Sequence, residues 1–327
     1  TYLLTVVPYD AMKEQIEELK KALAAAALPF KEGEPLSAHT TFGIGGPAEL
    51  YLRITTEDEL QRALSLVNEH STPSFLLGGG SNLLVRDGGM NGLVIHDKTQ
   101  GWSMDGDKVT IASGEWLADV VEAIAQKGVG GLEYLAGIPG TLGGAVCGNA
   151  GAYGQDISDS IISLRVLKNG KILTVSPKEL RYGYRTSLLK RSVSANGLPE
   201  MVVISATLRV NPKPDSSPIE RVREILAHRD GRLPPRELGC AGSYFKNLPA
   251  REAGGRRRAA GMLLDQTGVK GVTIGGAQVY KGHANIIVNI GGAKAKDVLD
   301  LAKEMKSRVK DKFGIDLEAE VMTVGQD

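Results

Sequence analysis

The chain has 327 residues, with 39 Lys and Arg against 38 Asp and Glu, so its formal net charge is +1. This length predicts more than one packed domain, and the balanced charge gives no general reason to expect nucleic acid or a membrane surface as a partner. The two cysteines of the sequence, Cys147 and Cys240, are too few for a disulfide framework and fit a reducing compartment.

No run of the sequence approaches the roughly 18 apolar residues that a membrane-spanning helix requires. The first residues, TYLLTVVPYDAMKEQ, lack the basic start and the long apolar core of a signal peptide. The histidines are scattered at positions 39, 70, 96, 228 and 283, without the spacing of metal ligands. We therefore expect a soluble cytoplasmic protein that binds no metal.

The first predicted element is a surface helix over residues 11–27, where AMKEQIEELKKALAAAA combines Glu and Lys spacing with an alanine tail. A compact α/β unit follows, and the capping signal Thr55-Thr56-Glu57-Asp58 opens its helix. The predicted elements of this unit are the strand ELYLRI, the helix EDELQRALSLVNEH, the strand SFLLG, the loop GGGSN and the strand NGLVIH.

A second, more β-rich unit is predicted between residues 107 and 210. Asn169-Gly170 separates two of its strands and predicts a tight hairpin. The segment NPKPDSS (211–217) has the Pro and Ser content of a linker, and we place the main domain boundary there. The elements before it are the strand DKVTIASG, the helix EWLADVVEAIAQKG and the strands ISLRVLKNG, KILTVS and MVVISATLRV. Those after it are the helix PIERVREILAHRD, a loop around GSYFKN, the helix RRAAGMLLDQTG, a strand pair within GGAQVYKGHANIIVN, the helix KAKDVLDLAKEMKSRVKDKFG and the strand LEAEVMTV.

Two glycine-rich tracts carry the chemical signal. Gly78, Gly79 and Gly80 lie between apolar, strand-like runs, where consecutive glycines cost conformational entropy. The second tract, GLEYLAGIPGTLGGAVCGNAGAYGQD, spans residues 131–156. Neither tract matches a P-loop or a Rossmann fingerprint. Their small residues expose backbone N–H groups that could cradle a pyrophosphate, or they form tight turns where sheets pack closely.

Six motifs occur in a characteristic order. They are TTFGIGGPAEL, LGGGSNLLV, GLEYLAGIPGTLGGAVCGNAGAYG, YGYRTS, AGSYFKN and LEAEV. Over residues 36–325 the chain resembles the UDP-N-acetylenolpyruvoylglucosamine reductase family, the flavoenzymes that complete UDP-N-acetylmuramate for peptidoglycan synthesis. The short interval between Arg185 and Ser243 resembles the subclass of this family that lacks a tyrosine-bearing loop.

The resemblance implies an α+β fold. It consists of a two-subdomain FAD-binding fold of the vanillyl-alcohol oxidase type, followed by a separate α/β substrate domain. On this sequence we expect an N-terminal helical extension at 1–30 and an FAD-binding domain at 31–212, with subdomains of about 31–100 and 101–212. The substrate-binding domain is expected at 213–327.

The resemblance places non-covalent FAD against both glycine tracts, with Thr40, Gly43 and Gly46 forming part of the wall. We accordingly explain the three consecutive glycines by a dinucleotide that passes so close that Cβ atoms would collide with it. The expected cofactor contacts are Gly78, Gly79, Gly80, Ser81, Asn82, Leu83, Gly137, Ile138, Pro139, Gly140, Thr141, Gly143, Gly144, Asn149, Ala150 and Gly151.

The family's reaction passes hydride from NADPH through FAD to C3 of the enolpyruvyl group of UDP-N-acetylglucosamine-enolpyruvate. By resemblance Ser243 donates the proton at C2, and Lys246 and nearby backbone donors would have to stabilise its alkoxide. Arg185 engages the substrate carboxylate, and Glu320 orients that arginine or shares a proton. Glu318 would lie on the same strand face as Glu320, and Glu320 is chosen because it precedes valine as in the family.

Further contacts with the substrate are expected from five residues, namely Tyr184, Lys246, Asn247, His283 and Asn285. The sequence departs from the family pattern at three places. Leu248 extends the usual KNP to KNLP. Met322 follows Glu320-Val321, where the family often has an arginine, and Gly239-Cys240 precedes AGS, where other residues are common in the family. We expect a monomer whose partners are this substrate and NADPH.

Two alternative functions remain open. The first is an FAD-dependent oxidase on the same fold, whose chemistry does not need Arg185, Ser243 or Glu320. The second is a non-catalytic nucleotide-sugar binding protein that has lost its flavin, against which the intact glycine motifs argue.

Overall fold

The computed structural model describes residues 9–235, 237–250, 252, 255 and 257–327, with only the backbone of 9–12. The chain divides into two compact units. The first contains the described residues up to Glu34 together with Ala48–Gly79 and Asn91–Ala227. The second contains Pro35–Pro47, Gly80–Met90 and the described part of His228–Asp327. Two short early segments therefore belong to the same unit as the C-terminal part of the chain.

The α-helices of the described residues include every helix that the sequence predicts. They are α1 (Tyr9–Ala25), α2 (Glu57–His70), α3 (Leu117–Gln126), α4 (Leu142–Gly148), α5 (Leu188–Arg191), α6 (Pro218–Asp230), α7 (Ala260–Gln266) and α8 (Ala295–Phe313). Short 3-10 turns lie at Leu36–His39, Glu133–Leu135, Ile157–Asp159 and Pro177–Leu180.

The strands are short and fall into separate sheets. They are β1 (Phe30–Pro35), β2 (Pro47–Ile54), β3 (Ser74–Leu77), β4 (Leu83–Val85), β5 (Met90–Asp97), β6 (Trp102–Asp105), β7 (Lys108–Ala112), β8 (Gly151–Ala152), β9 (Gln155–Asp156), β10 (Ile161–Lys168), β11 (Lys171–Val175), β12 (Val202–Arg209), β13 (Gly239–Ser243), β14 (Thr273–Ile274), β15 (Ala277–Val279), β16 (Ile286–Asn289) and β17 (Met322–Val324).

The first unit contains two main sheets, each with its own apolar core. One sheet has the order β1-β2-β5-β3, with β3 and β5 parallel, and its core includes α1 and α2. The other has the order β11-β10-β12-β7-β6, with antiparallel pairs, and its core includes α3 and α4. The two glycine-rich tracts begin at the end of β3 and after α3, so each tract follows an element that has buried apolar side chains.

Local sequence signals account for several of these elements. The Thr56 hydroxyl accepts from the Glu59 N–H, and the Glu59 carboxylate accepts from the Thr56 N–H, so a capping box opens α2. Asn169 and Gly170 have φ values of 49° and 71° between β10 and β11. Positive φ at both positions is the requirement of a type I′ hairpin turn. The predicted helix and hairpin are therefore confirmed.

The second unit is built on a sheet of order β13-β16-β15-β14 and on the parallel pair β4 and β17. Phe42, Ile44 and Leu84 come from the two early segments and pack in one apolar core with α8. The Asp87 carboxylate accepts from the N–H groups of Ala295 and Lys296 at 2.8 and 3.2 Å. An acceptor at this place satisfies N–H groups that have no partner within the helix.

The structure differs from the predicted elements at a few places. Helix α4 lies inside the glycine tract that was treated as a loop, and strand β13 occupies part of the predicted loop around GSYFKN. Further elements that were not predicted are β1, β4, β6, β8, β9, β14 and the short helix α5. The final strand covers Met322–Val324 and not all of LEAEVMTV, because residues 318–320 pair with residues 244–246 instead.

The predicted domain boundaries stay a prediction, and the two compact units are a different division of the chain. The first unit extends through α6 to Ala227, beyond the predicted linker, and the second includes segments 35–47 and 80–90. Among the helices of the described residues, none combines the length and apolar character needed to cross a membrane.

Leu84→Ala tests whether segment 80–90 stabilises the second unit. Leu84 is fully buried in the core that contains α8, so the truncation should cost about 2–5 kcal/mol of unfolding free energy. Amide hydrogen exchange should rise in α8 more than in α2. Leu173→Ala, at a side chain that is 42% exposed, is the control and should cost less than about 0.5 kcal/mol. Equal acceleration in α2 and α8 would contradict the assignment.

Candidate functional site

The first part of the candidate site lies where β3 ends, at Gly78 and Gly79. A Cβ atom on Gly78 would lie 2.6 Å from the Thr141 hydroxyl oxygen, and one on Gly79 would lie 2.6 Å from the Trp116 ring. The Gly140 Cα atom would also lie 2.9 Å from a Cβ on Gly79, so that position does not tolerate a side chain, whereas at Gly78 the Thr141 hydroxyl would have to move. The two glycines allow the end of β3 to pack directly on the second glycine tract.

Gly80, in the second unit, has an even stricter requirement. Its φ is +62°, and a Cβ atom there would lie 2.2 Å from the His39 carbonyl oxygen. Backbone atoms of the protein therefore exclude a side chain at Gly79 and Gly80. Close packing of the protein is sufficient to explain glycine at these two positions, and the explanation by a passing dinucleotide stays a prediction. The expected contacts of FAD with this loop stay a prediction.

Helix α4 uses part of the backbone that was expected to cradle a pyrophosphate. The N–H of Leu142 donates to the Glu115 carbonyl at 2.9 Å, and the N–H of Gly143 donates to the Ser113 carbonyl at 2.8 Å. A Cβ atom on Gly143 would also lie 3.2 Å from the Ser113 carbonyl oxygen. Gly143 is thus explained by packing against β7 and its following turn, and its N–H is not available to an anion in this conformation.

One side of α4 has a different character. Gly144 is exposed, and its Cβ atom would approach nothing nearer than the Thr141 hydroxyl at 3.7 Å. Gly148 would meet nothing within 4 Å. Packing of the protein does not account for glycine at these two positions, whereas a ligand lying against the helix does. This open, glycine-lined side fits a bound flavin nucleotide.

Tyr182 gives a second observation that fits a ligand in the first unit. Its hydroxyl oxygen is buried and has no hydrogen-bond partner among the described residues. Burial raises the pKa of Tyr182, and the neighbouring Cys147 of α4 raises it further. A buried hydroxyl without a hydrogen-bond partner is uncommon in folded proteins, so a bound ligand would be a suitable partner for it. Tyr182 is the first residue of the motif YGYRTS but was not predicted as a site residue.

Asn149 links the second glycine tract to the YGYRTS motif. It ends α4 in the left-handed conformation, with φ 49°. Its buried amide nitrogen Nδ2 donates to the Gly183 carbonyl at 3.1 Å and to the Asp156 carboxylate at 3.4 Å. Its Oδ1 accepts from the Ser158 N–H at 3.3 Å. The amide is therefore used within the protein, where it joins three segments of the first unit.

Arg185 lies in a tight turn closed by Gly183 and Thr186, whose N–H groups donate to each other's carbonyls. Its φ of 57° is unusual for a residue with a side chain, and such strained positions concentrate at functional sites. The guanidinium donates to the carbonyls of Asn149 and Gly151 at 3.3 and 3.0 Å. The structure therefore brings the predicted catalytic arginine together with predicted cofactor residues of the glycine tract.

Two more side chains surround the Arg185 guanidinium. It lies over the Tyr184 ring at 5.2 Å from the ring centroid, and its Nη1 is 3.9 Å from the Asp156 carboxylate. Burial raises the pKa of Asp156, while the charge of Arg185 lowers it. Asp156 was not predicted as a site residue. Its place at the end of the glycine tract was visible in the sequence, but its proximity to Arg185 depends on the fold.

In the second unit, the parallel pair β4 and β17 brings predicted residues together. The Asn82 amide nitrogen donates to the Glu320 carbonyl at 3.1 Å, and the Met322 N–H donates to the Asn82 carbonyl at 3.0 Å. Leu83 lies opposite Met322 in the parallel register. The predicted cofactor residue Asn82 thus contacts the predicted catalytic Glu320, and Met322 has a place in a regular strand.

Ser243 is the last residue of β13. The pairing with β16 shifts between Cys240 and Ser243, where Gly242 has φ 73°, so the strand bulges before the serine. Ser243 itself is exposed and lies opposite Ile286. A bulge next to a functional residue re-aims its side chain, and here glycine supplies the necessary backbone conformation.

The segment after Ser243 runs antiparallel to residues 318–320. The Glu320 N–H donates to the Tyr244 carbonyl at 2.7 Å, and the Lys246 N–H donates to the Glu318 carbonyl at 2.8 Å. This pairing brings the predicted catalytic Ser243 and Glu320 into neighbouring segments of the second unit.

The same pairing corrects one expectation about Ser243. The N–H groups of Tyr244, Phe245 and Lys246 all donate to acceptors of the protein, namely the Asn285 carbonyl, the Asn285 Oδ1 and the Glu318 carbonyl. They are therefore not available to stabilise a serine alkoxide in this conformation.

Glu318 and Glu320 differ in their surroundings. Glu318 forms an ion pair with the Lys246 ammonium group, and its side chain is 74% exposed. Glu320 is half-buried, and its backbone N–H and carbonyl are both hydrogen-bonded, to Tyr244 and Asn82. This arrangement favours Glu320 as the better-positioned carboxylate, although its role stays a prediction.

Asn247 and Leu248 have partners in the segment before α7. The Asn247 Oδ1 accepts from the Ala260 N–H at 3.1 Å, at the start of that helix. The backbone groups of Leu248 bond reciprocally with those of Arg258, at 2.9 and 3.1 Å, and the side chain packs against the core. The extra residue of KNLP is thus accommodated by a local bridge, while the expected substrate contact of Asn247 stays a prediction.

His283 and Asn285 lie beside the Ser243 segment. The His283 Nδ1 accepts from the Asn285 N–H at 3.2 Å. Burial lowers the pKa of His283, and the charges of Lys270 and Arg232 lower it further. Asn285 is only 1% exposed, and its side-chain amide bonds both backbone groups of Phe245. The expected substrate contacts of both residues stay predictions, and the structure gives each of them a bond within the protein.

The described part of the chain contains no cluster of metal ligands, and its Cys147 thiol is not activated. No group of three or more His, Cys, Asp and Glu side chains there could hold a metal ion. Burial raises the pKa of the Cys147 thiol to about 11, so that it stays protonated at neutral pH.

Comparisons with known proteins agree with the resemblance. Residues 234–324 match the C-terminal domain of UDP-N-acetylenolpyruvoylglucosamine reductase, and residues 48–176 match an FAD binding domain. The UDP-N-acetylenolpyruvoylglucosamine reductase of Clostridioides difficile (strain 630) is 38% identical to the chain over 91% of it and 94% of the relative. That of Anoxybacillus flavithermus (strain DSM 21510 / WK1) is 37% identical over 95% and 100%. The chain belongs to this reductase family.

A solved structure of the family supports the same conclusion. UDP-N-acetylenolpyruvylglucosamine reductase from Thermus caldophilus superposes with a TM-score of 0.73 and is 33% identical, covering 90% of this chain and 98% of that one. The predicted fold class is thereby confirmed, as an FAD-binding domain followed by the family's C-terminal domain. Membership in the reductase family also confirms FAD as the cofactor, while the roles of the individual site residues stay predictions.

Gly80→Ala tests the packing explanation of the glycine loop. The variant combines strain at φ +62° with a collision against the His39 carbonyl, and should lose about 2–5 kcal/mol of unfolding free energy. Gly106→Ala is the matched control, with φ +57° and nothing within 4 Å, and should lose about 1–2 kcal/mol. Urea unfolding of the FAD-free proteins measures both values. Equal losses would mean that the close approach to His39 has no energetic consequence.

His283→Asn tests the burial of a neutral imidazole. The folded-state pKa of His283 is lowered, so above about pH 6.5 its contribution to stability is complete, and it declines as the pH falls towards the folded-state pKa. Asparagine offers Oδ1 in place of Nδ1 but does not titrate. Wild-type protein should therefore lose more unfolding free energy than the variant between about pH 7 and pH 5. Parallel losses in urea unfolding would refute the burial of a neutral histidine.

Proposed function

We propose that the protein uses NADPH and FAD to reduce the enolpyruvyl group of UDP-N-acetylglucosamine-enolpyruvate, which yields UDP-N-acetylmuramate for peptidoglycan synthesis. The observation that carries the proposal is the placement of Arg185, whose strained backbone and two carbonyl contacts hold a guanidinium on the glycine tract of an FAD-binding domain. Such a cation beside a flavin has a clear use when the substrate carries a carboxylate.

The residues proposed to hold the cofactor lie in the two glycine-rich tracts. In the first unit they are those of the tract 137–151, above all on the open side of α4 at Gly144, and in the second unit those of the loop 80–83. FAD, when bound, supplies the hydride that reaches C3 of the enolpyruvyl group after its transfer from NADPH. The protein's part is to bind the substrate, to stabilise its developing charge and to provide a proton.

Arg185 stabilises the charge that develops on the substrate. Hydride addition at C3 places negative charge on C2 and on the attached carboxylate, and a planar guanidinium can bind that carboxylate through two parallel hydrogen bonds. The carbonyls of Asn149 and Gly151 already orient the guanidinium. Glu320 is therefore not needed to orient Arg185, and its proposed role is to share a proton with the charged intermediate.

Ser243 donates the proton that C2 receives. Its exposed position after the bulge at Gly242 leaves it accessible, and Lys246 is the charged side chain three residues further along. Because the adjacent backbone N–H groups are already bonded, positive charge is the proposed source of stabilisation for the alkoxide. Tyr184, Lys246, Asn247 and His283 remain the proposed contacts of the nucleotide-sugar.

The proposal includes non-covalent FAD, a cytoplasmic location and a monomeric state. The second candidate, an FAD-dependent oxidase on the same fold, would have no use for Arg185 or for a proton donor at Ser243. The observation that favours the reductase is the backbone pairing of the Ser243 segment with Glu320, at 2.7 Å from the Glu320 nitrogen to the Tyr244 carbonyl.

Ser243→Ala separates the two halves of the proposed reaction. Under anaerobic conditions NADPH should bleach the flavin within about twofold of the wild-type rate, since Ser243 takes no part in that half-reaction. Reoxidation by UDP-N-acetylglucosamine-enolpyruvate should slow by about 10²- to 10⁴-fold, the usual contribution of a general acid. Stopped-flow absorbance of the flavin measures both steps, with Ser216→Ala, at an exposed serine, as the control.

Three results would count against the proposal. Equal slowing of both steps would refute the role of Ser243. A wild-type flavin that bleaches and recovers only when air is admitted would identify the oxidase. A purified protein that takes up no FAD would identify a binding protein on an inherited fold.

A further inference from the structure

Asn285 has an unusual set of bonds for a residue that was expected to touch the substrate. Its Oδ1 accepts from the Phe245 N–H at 3.0 Å, and its Nδ2 donates to the Phe245 carbonyl at 2.8 Å. Its own carbonyl accepts from the Tyr244 N–H at 2.7 Å. Asn285 is only 1% exposed, and its side-chain amide is used within the protein. We infer that Asn285 is a positioning residue that fixes the proton donor Ser243 through the two residues that follow it, an inference that rests on the proposed function.

The need for such a residue follows from the way in which β13 ends. The ladder with β16 pairs Gly239 with Asn289 and Cys240 with Val288, then shifts at the bulge and ends with Ser243 opposite Ile286. Beyond Ser243 the regular pairing with β16 stops, yet Phe245 is buried. A side-chain amide carries a donor and an acceptor in the same arrangement as a peptide group. Asn285 therefore continues the pairing for one more residue, where the backbone of β16 no longer can.

The hydrogen bonds of Asn285 are also connected to the segment that carries the predicted catalytic Glu320. Residues 244–246 have Asn285 on one side and residues 318–320 on the other. The Tyr244 carbonyl accepts from the Glu320 N–H, and the Tyr244 N–H donates to the Asn285 carbonyl. Any movement of this segment would therefore change the positions of Ser243 and Glu320 together. The carbonyl and the side-chain amide of Asn285 bond backbone groups of Tyr244 and Phe245, which is why its role is positioning and not catalytic.

Asn289, at the other end of β16, provides a matched control. Its Oδ1 accepts from the N–H groups of Gly291 and Ala293 at 2.9 and 3.3 Å, and its Nδ2 donates to the Phe42 carbonyl at 3.3 Å. Its side-chain amide thus also bonds backbone groups of the second unit, but it lies at the end of β16 that is farther from Ser243. An effect of general destabilisation should appear in both variants, whereas an effect on proton donation should appear at Asn285 alone.

The experiment compares Asn285→Asp with Asn289→Asp in the FAD-loaded enzyme. In Asn285→Asp one carboxylate oxygen replaces the donor Nδ2 and faces the Phe245 carbonyl, so the bond becomes a repulsion of two acceptors. Reoxidation of the flavin by substrate should slow by about 10- to 100-fold, as expected when a reacting group is displaced. Reduction by NADPH in this variant, and both steps in Asn289→Asp, should stay within about twofold of wild type.

A double-mutant cycle and an exchange measurement give readouts that a general loss of stability would not produce. Because Asn285 acts through Ser243, Asn285→Asp should change reoxidation by less than about twofold in a Ser243→Ala background. Amide hydrogen exchange should accelerate at Phe245 in Asn285→Asp and stay unchanged there in Asn289→Asp. If Asn285→Asp does not fold, Asn285→Ser, which removes the amide without adding charge, replaces it with the same expected results.

The possible failures can be told apart. A wild-type enzyme whose flavin is not reoxidised by the substrate would overturn the proposed function and this inference with it. An active wild type in which Asn285→Asp behaves like Asn289→Asp would overturn the inference alone. The inference would also fail if Asn285→Asp slowed reoxidation by the same factor with and without the Ser243 hydroxyl.

Discussion

Buried peptide groups must find hydrogen-bond partners, and this constraint governs how the candidate site is built. The segments that carry the predicted site residues leave regular helix and strand after a few residues. At three of these exits an asparagine side chain takes over the pairing, with Asn149 and Asn82 donating to carbonyls and Asn285 bonding both backbone groups of a buried phenylalanine. An amide can do this because it presents a donor and an acceptor side by side. Irregular backbone thereby gains fixed positions without extending the sheets.

Contacts with backbone groups also leave the positive charge of Arg185 available for the proposed chemistry. Arg185 is oriented by two carbonyl groups, which are neutral acceptors and do not cancel the charge of a guanidinium. The Asp156 carboxylate lies 3.9 Å from the Arg185 Nη1, where it can influence the arginine without forming a bidentate pair. In the second unit, by contrast, Lys246 is paired directly with the exposed Glu318. Ion pairs of that kind contribute little and exchange readily with water, so a charged ligand can compete for the lysine.

Local patterns in the sequence were sufficient for the elements whose cause is local. The helix at 57–70 follows from its capping box and apolar periodicity, and the hairpin at Asn169-Gly170 from the turn type that these two residues favour. Helix α4 was missed because glycine-rich sequence has low helix propensity, and this helix is held by carbonyls of residues 113 and 115 that are remote in sequence. The family motifs identified the chemistry and most of the candidate residues. They could not reveal that Asn285 is buried, or that Gly79 and Gly80 are required by the protein's own backbone, because both facts depend on which distant segment lies alongside.

The discontinuous second unit has a consequence for the way in which the chain folds during synthesis. Segment 80–90 supplies β4, whose partner β17 is made more than two hundred residues later. Residues such as Phe42 and Leu84 are therefore translated long before the core that will bury them exists. Contacts of such large sequence separation slow folding and leave apolar surface exposed in the meantime. The elements of the first unit that are complete early can form on the ribosome, whereas the Asn82 contact with Glu320 and the pairing of β4 with β17 must wait until residues 320–324 have been made.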